Sequence, residues 1–168
     1  MTRPTVRAAG THDWQDLRAV RLQALADAPA AFCSTRARES AFTEAQWRQR
    51  ATQGNWFLAW PATPSGTQAA APDGVASGIL RPGSGGCELA GMWVGPAARG
   101  SDVAGELIAA VAGWARRSGA GRLDLWVFAD NRRARTFYVR QGFLETGETQ
   151  EFPERPAGVE IGMTLPLI

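Results

Sequence analysis

The sequence has no lysine: all 18 of its basic residues are arginine. Without a lysine ammonium there is no Schiff-base nucleophile and no Walker-type phosphate loop, so two large enzyme classes are excluded. Histidine occurs once, as His12, which rules out a multi-histidine metal site and leaves a Ser-His-Asp triad only in a remote N-terminal form. No metal is expected. The two cysteines, Cys33 and Cys87, stand 54 positions apart without metal-ligand spacing and read as reduced core or pocket residues of a reducing compartment. No stretch approaches the roughly 18 apolar residues of a membrane span. MTRPTVRAAG lacks the apolar run of a secretion signal, so the expectation is a cytoplasmic protein with no membrane partner. A net charge of only +2 argues against a broad electrostatic grip on nucleic acid.

What is present fits one domain over residues 1–168, since 168 residues suffice for one well-buried core and not for two. TVRAA predicts a first strand, and Thr11 a cap for a helix carrying Trp14, Leu17, Val20 and Leu25, stopped by Pro29. Thr43 with EAQWRQR predicts a second short helix. NWFLAW and GVASGILR read as strands joined by a long mobile loop, PATPSGTQAAAPDG. CELAGMWV follows as another strand. Strand alternation puts Glu88, Ala90 and Met92 on one face unless Gly91 marks a bulge. Val103, Leu107, Val111 and Trp114 give a long amphipathic helix closed by Gly119, and RLDLWVF a strand. Asn131 caps a further helix closed by Gly142, before two last strands at Phe143–Thr146 and Val159–Leu165 around a polar loop. That order is α/β or α+β with a mixed sheet.

Two patterns stand out. Asn131, Ala134, Tyr138, Gly142 and Phe143 form N-x-x-A-x-x-x-Y-x-x-x-G-F, and VGPAARGSDVA (94–104) contains V-x-P-x-x-R-G-x-x-V-A. A helix N-terminus with small residues presents unpaired amides and a positive dipole end, which hold an anion without lysine. Together the two motifs resemble the GNAT acyltransferase superfamily. The resemblance implies an acetyl-CoA-dependent N-acetyltransferase with a central mixed, mostly antiparallel sheet. That sheet would be splayed between its fourth and fifth strands and flanked by about four helices.

It further implies that pantetheine lies along the strand ending in Trp93 and Val94. The pyrophosphate would sit on the amides of Arg99, Gly100, Ser101, Asp102, Val103, Ala104 and Gly105, with Asn131 and Arg135 on the CoA side. Tyr138 would face the sulfur. As the only tyrosine, with a reference pKa near 10, it suits protonation of a departing thiolate. Glu88 matches the family's fourth-strand glutamate that acts as a base through water, and amides near Trp93 and Val94 would polarise the thioester carbonyl.

The acceptor side in such proteins is built from the first two helices and the last loop. Here ETGETQEFPERPAGVE holds Glu145, Glu148, Glu151, Glu154 and Glu160 against Arg155 alone, which suggests a cationic small amine or an aminoglycoside-like antibiotic. Phe32, Glu39, Trp47 and Trp56 are candidates for the same cleft or for the core. Arg132, Arg133, Arg135 and Arg140 read as serving phosphates or solvent rather than RNA. Two alternatives are a CoA-binding protein without turnover and a protein- or tRNA-directed acetyltransferase, acting as a monomer or homodimer. The first is motivated by Asp102. The family pattern has glycine at that position, so a carboxylate stands where backbone and pyrophosphate would come closest.

Overall fold

The computed structural model describes residues 3–62, 70–152 and 158–168. In chain order the elements are β1 (Thr5–Ala8), α1 (Trp14–Asp27), α2 (Arg36–Ser40), α3 (Glu44–Thr52), β2 (Trp56–Trp60), β3 (Gly74–Arg81) and β4 (Gly86–Val94). They continue with α4 (Val103–Arg117), β5 (Arg122–Phe128), α5 (Arg132–Arg140), β6 (Leu144–Glu151) and β7 (Val159–Pro166). The seven strands form one sheet in the order β1-β2-β3-β4-β5-β7-β6. Every pairing is antiparallel except β4 with β5. Parallel neighbours need a crossover, and α4 supplies it.

Local chemistry accounts for most boundaries. Thr43 and Gln46 form a reciprocal capping box at the start of α3. Asn131 Oδ1 accepts from the Ala134 amide at 3.1 Å, opening α5, and Gly142, at φ +95°, closes it with a left-handed residue. In α4, Val103, Leu107, Ile108, Val111, Ala112 and Ala115 line one face and are buried against the sheet. A second apolar cluster on α1 and α3 covers the other face, built on Leu17, Val20, Leu25 and Trp47. Trp47 is thus core rather than cleft, and Cys87 is buried in the α4 cluster.

Three elements differ from the sequence reading. The five-residue α2 was not anticipated and makes a fifth helix among the described residues. The first part of the expected polar loop after Thr146 is strand: β6 runs to Glu151, exposed along its length, and is held by its ladder to β7. Residues 63–69 of the long loop, and Glu154 and Arg155 of the acidic one, lie outside the described residues.

The third difference is in β4. Ser77 pairs with Ala90 but Val75 with Trp93, so one residue of β3 faces two of β4. This bulge centres on Gly91, at φ +62°, a conformation that costs an L side chain roughly 1–2 kcal/mol. Its consequence is a change of parity. Cys87 and Leu89 face the α4 cluster before the bulge, and Met92 and Val94 face it after. Trp93 points instead into the α1 cluster. Met92 therefore does not share a face with Glu88 and Ala90.

Candidate active site

β4 and β5 pair only at Gly86–Arg122, Cys87–Leu123 and Glu88–Asp124. Beyond these residues they diverge, while β5 stays laddered to β7 along its whole length from Arg122 to Phe128. The sheet is splayed there, with the backbone of β4 past Glu88 left without a partner on its β5 side. A cleft of about 500 Å³ opens along that gap, floored by Ala90, Gly91 and Met92, and flanked by Leu125–Phe128, Asn131 and Tyr138.

Tyr138 reaches the cleft from α5. Its ring sits edge-on to Phe137 at 5.3 Å and to Phe143 at 5.5 Å. Enclosure of the phenol pushes its pKa up to about 12, because burial disfavours the tyrosinate. The hydroxyl is protonated throughout the neutral range, as an ordinary phenol also is.

The turn into α4 follows directly on the end of β4. Helix geometry leaves the amides of Val103, Ala104 and Gly105 without an intrahelical acceptor. Of these, Val103 has a weak local one in Ser101 Oγ at 3.4 Å. The Arg99 and Ser101 amides are already turned onto the Pro96 and Ala98 carbonyls, at 3.4 and 3.2 Å, which narrows the expected anion cradle toward the helix start. The Arg99 side chain is also committed: its Nε donates to the Val94 carbonyl at 3.1 Å and its Nη2 pairs with Asp27. Arg99 braces the turn against α1 rather than extending toward a phosphate. Asp27 also accepts from Trp93 Nε1 at 2.9 Å, and the Trp93 hydrogen bond with that of Arg99 holds its carboxyl below the usual range. Trp93 therefore offers a ligand only its backbone. Asp102 is the N-cap residue of α4, exposed and making no capping bond.

A profile of the acetyltransferase (GNAT) family matches residues 20–143. The chain belongs to that family. Among solved structures, an N-acetyltransferase from Staphylococcus aureus Mu50 superposes with TM-score 0.67 at 19% identity, covering 99% of this chain and 100% of that one. A ribosomal-protein-alanine N-acetyltransferase from Brucella melitensis gives 0.66 at 22%, covering 97% and 99%. A GCN5-related N-acetyltransferase from Kribbella flavida gives 0.71 at 21%, covering 98% of each chain. At these identities the likeness is one of fold. A comparison with curated proteins gave no match.

Against the GNAT pattern, two residues expected in the site are otherwise engaged. Glu88 lines the cleft from β4 but pairs closely with Arg81 on β3, so its carboxylate already holds a guanidinium. Arg135 directs Nη2 to Glu145 at 2.8 Å and Nη1 to the Ala129 carbonyl at 2.8 Å, and does not line the cleft. It fastens α5 to β6.

Other residues fill the acceptor side. Phe32 and Glu39 line the cleft, joined by Arg21, Cys33, Ser34, Arg38 and Arg50. Arg21 grips Glu39 with two parallel bonds, Nε to Oε2 at 3.0 Å and Nη2 to Oε1 at 2.9 Å, and Arg50 Nη1 adds a third at 3.1 Å. Burial pushes the Glu39 carboxyl up, but the bonds and charge of Arg21 outweigh it and hold the group below its usual range. One atom is left over. Arg21 Nη1 is buried with no hydrogen-bond partner among the described residues, a state that costs about 1–3 kcal/mol. A Cβ on Gly91 would lie 3.4 Å from that nitrogen and from the Trp56 ring. Opposite, Glu160 is buried on β7 and accepts from Gln150 Nε2 at 2.7 Å.

The sequence sets Glu160 at the end of the acidic last loop, whereas the structure buries it on β7. Its position next to Val159, at the start of an alternating strand, is the available signal. Glu145 is likewise not free for an acceptor, being tied to Arg135.

Proposed function

We propose that this GNAT protein moves the acetyl group of acetyl-CoA to the primary amine of a small molecule by direct attack on the thioester. The carrying observation is the splay: the β4 backbone left without a β5 partner and the Tyr138 phenol border one cleft, and β4 leads directly into the turn at the N-terminus of α4. Pantetheine amides would pair with the β4 backbone near Trp93 and Val94. Its pyrophosphate would rest on the amides of residues 102–105, with Gly100 and Ser101 keeping the turn small.

In this scheme the neutral amine attacks the thioester carbonyl carbon and its lone pair forms the C–N bond. The carbonyl oxygen becomes an oxyanion beside the β4 bulge amides. Collapse breaks the C–S bond, and Tyr138 gives its proton to the departing thiolate. The ammonium loses its proton through water to a cleft carboxylate, and that proton passes on to the tyrosinate, which returns both groups to their starting states. The products are the N-acetylated amine and CoA thiol. Glu88 and Glu160 are the candidate proton acceptors; Glu160 is favoured by having an amide, not a guanidinium, as its hydrogen-bond partner. A cytoplasmic setting, where acetyl-CoA is supplied, suits this reading.

The test is thermal stabilisation by acetyl-CoA followed by thiol release over a panel of amines. Tyr138→Phe should lower turnover by about 100-fold or more while acetyl-CoA affinity stays within threefold. Because the phenol pKa is raised, ionisation of Tyr138 should produce no alkaline fall in turnover below about pH 10. Unchanged turnover in Tyr138→Phe would remove the residue from the chemistry.

A further inference from the structure

We propose that the acceptor amine also carries a carboxylate, held by Arg38 and Arg50 on the α2–α3 wall of the cleft. This rests on the acetyl-transfer reading and names its acceptor class. Three guanidiniums, of Arg21, Arg38 and Arg50, line that wall against a single carboxylate, Glu39, leaving two formal positive charges uncompensated.

Glu39 has no capacity to spare, since both its oxygens are taken. Arg50 spends Nη1 there, and its remaining N–H groups bond to nothing among the described residues, although its side chain is 29% exposed. Arg38 is exposed and forms no ion pair among the described residues. Arg21 is only 7% exposed, and its unpartnered Nη1 faces Gly91 at the cleft floor, so water does not disperse its charge. Two of the three are also braced by rings: the Arg21 guanidinium carbon lies over Phe32 at 4.9 Å, and that of Arg50 over Phe42 at 4.7 Å. A guanidinium matches the flat, two-oxygen shape of a carboxylate.

The opposite wall has the other sign. Glu160 is 8% exposed and accepts from the neutral Gln150. An acceptor with separated charges fits both walls, its amine toward Glu160 and its carboxylate toward the arginines. A purely cationic amine gains at one wall and is repelled at the other. Of the acidic residues that suggested such an amine, Glu145 is already paired with Arg135.

The test compares matched acceptors on the unmodified protein by thiol release: alanine, alaninamide and ethylamine; phenylalanine, phenylalaninamide and phenethylamine. Because binding sites with paired polar groups reject analogues that leave those groups unpaired, kcat/KM should favour the carboxylate member by about thirtyfold or more. Arg38→Gln alters an exposed side chain. It should raise KM for the amino acid about tenfold and leave KM for acetyl-CoA unchanged, while kcat/KM for the plain amine, relieved of one repelling charge, does not fall. The preference should shrink with added salt.

Values within threefold across each set, or preference for the plain amine, would overturn the inference. If no amine releases thiol, the readout becomes thermal stabilisation of the CoA-loaded protein by the same amino acids. Stabilisation lost in Arg38→Gln then upholds the carboxylate site while the transfer reading fails. Absence of stabilisation overturns the carboxylate site, and stabilisation by acetyl-CoA alone judges the CoA site separately.

Discussion

The two ends of the β4–β5 pair differ in what holds them. At the closed end, Cys87 and Leu123 face each other in register, both fully buried, under an unbroken layer from α4. At the open end the strands have parted, the β4 backbone is unpaired, and a bulge with a left-handed glycine replaces regular ladder. One end is secured by apolar contacts that a ligand never sees. The other gives up hydrogen bonds on the β5 side of β4, and Tyr138, Glu160 and the Arg21–Glu39–Arg50 cluster line the cleft there. On the acetyl-transfer reading proposed above, stability and function are separable along a single pair of strands.

The largest expected effect lies at the closed end. Leu123→Ala should destabilise the protein by about 2–5 kcal/mol, read by urea unfolding, through lost burial and the cavity left behind. Affinity for acetyl-CoA, measured on the folded fraction, should stay within twofold. A selective loss of affinity would mean that the two ends are coupled.

Gly91→Ala comes next. Forcing a Cβ at φ +62°, beside Arg21 Nη1 and Trp56, should cost about 1–2 kcal/mol of stability. It should also lower turnover more than an equally destabilising change at Leu123 does. Equal turnover losses for equal destabilisation would show that the bulge is only a structural device.

The smallest effect sharpens the open end from the turn that follows β4. The Asp102 side chain makes no capping bond, so Asp102→Gly should change stability by less than about 1 kcal/mol. Removing an exposed like charge from the phosphate turn should tighten acetyl-CoA severalfold by calorimetry, more at low salt. Weaker binding would mean that the carboxylate helps the ligand.

These two ends were also unequally legible in the sequence. The α4 stripe from Val103 to Ala115 and the cap and stop of α5 at Asn131 and Gly142 were readable, since periodicity and capping are local signals. Gly91 flagged the bulge without revealing which residues changed face, because parity depends on how β3 pairs with it. β6 was legible only as far as Thr146: its continuation GETQE has no apolar alternation, and only the ladder to β7 makes it strand. The Arg21–Glu39–Arg50 cluster was invisible for the same reason. It joins residues 18 and 11 positions apart, on three helices, and nothing local marks the pairing. Arg99 and Arg135 stood correctly in their motifs, yet folding spent their side chains on Asp27 and Glu145.

The central claim is that the open end of β4–β5 is an acetyl-CoA site with Tyr138 at the sulfur. A crystal structure of the CoA complex tests it most directly. Pantetheine should run along β4 beside Trp93 and Val94, with the pyrophosphate on the amides at the start of α4 and the sulfur within hydrogen-bond reach of the Tyr138 hydroxyl. CoA bound elsewhere, or with its sulfur beyond that reach and Tyr138 still packed against Phe143, would contradict the account.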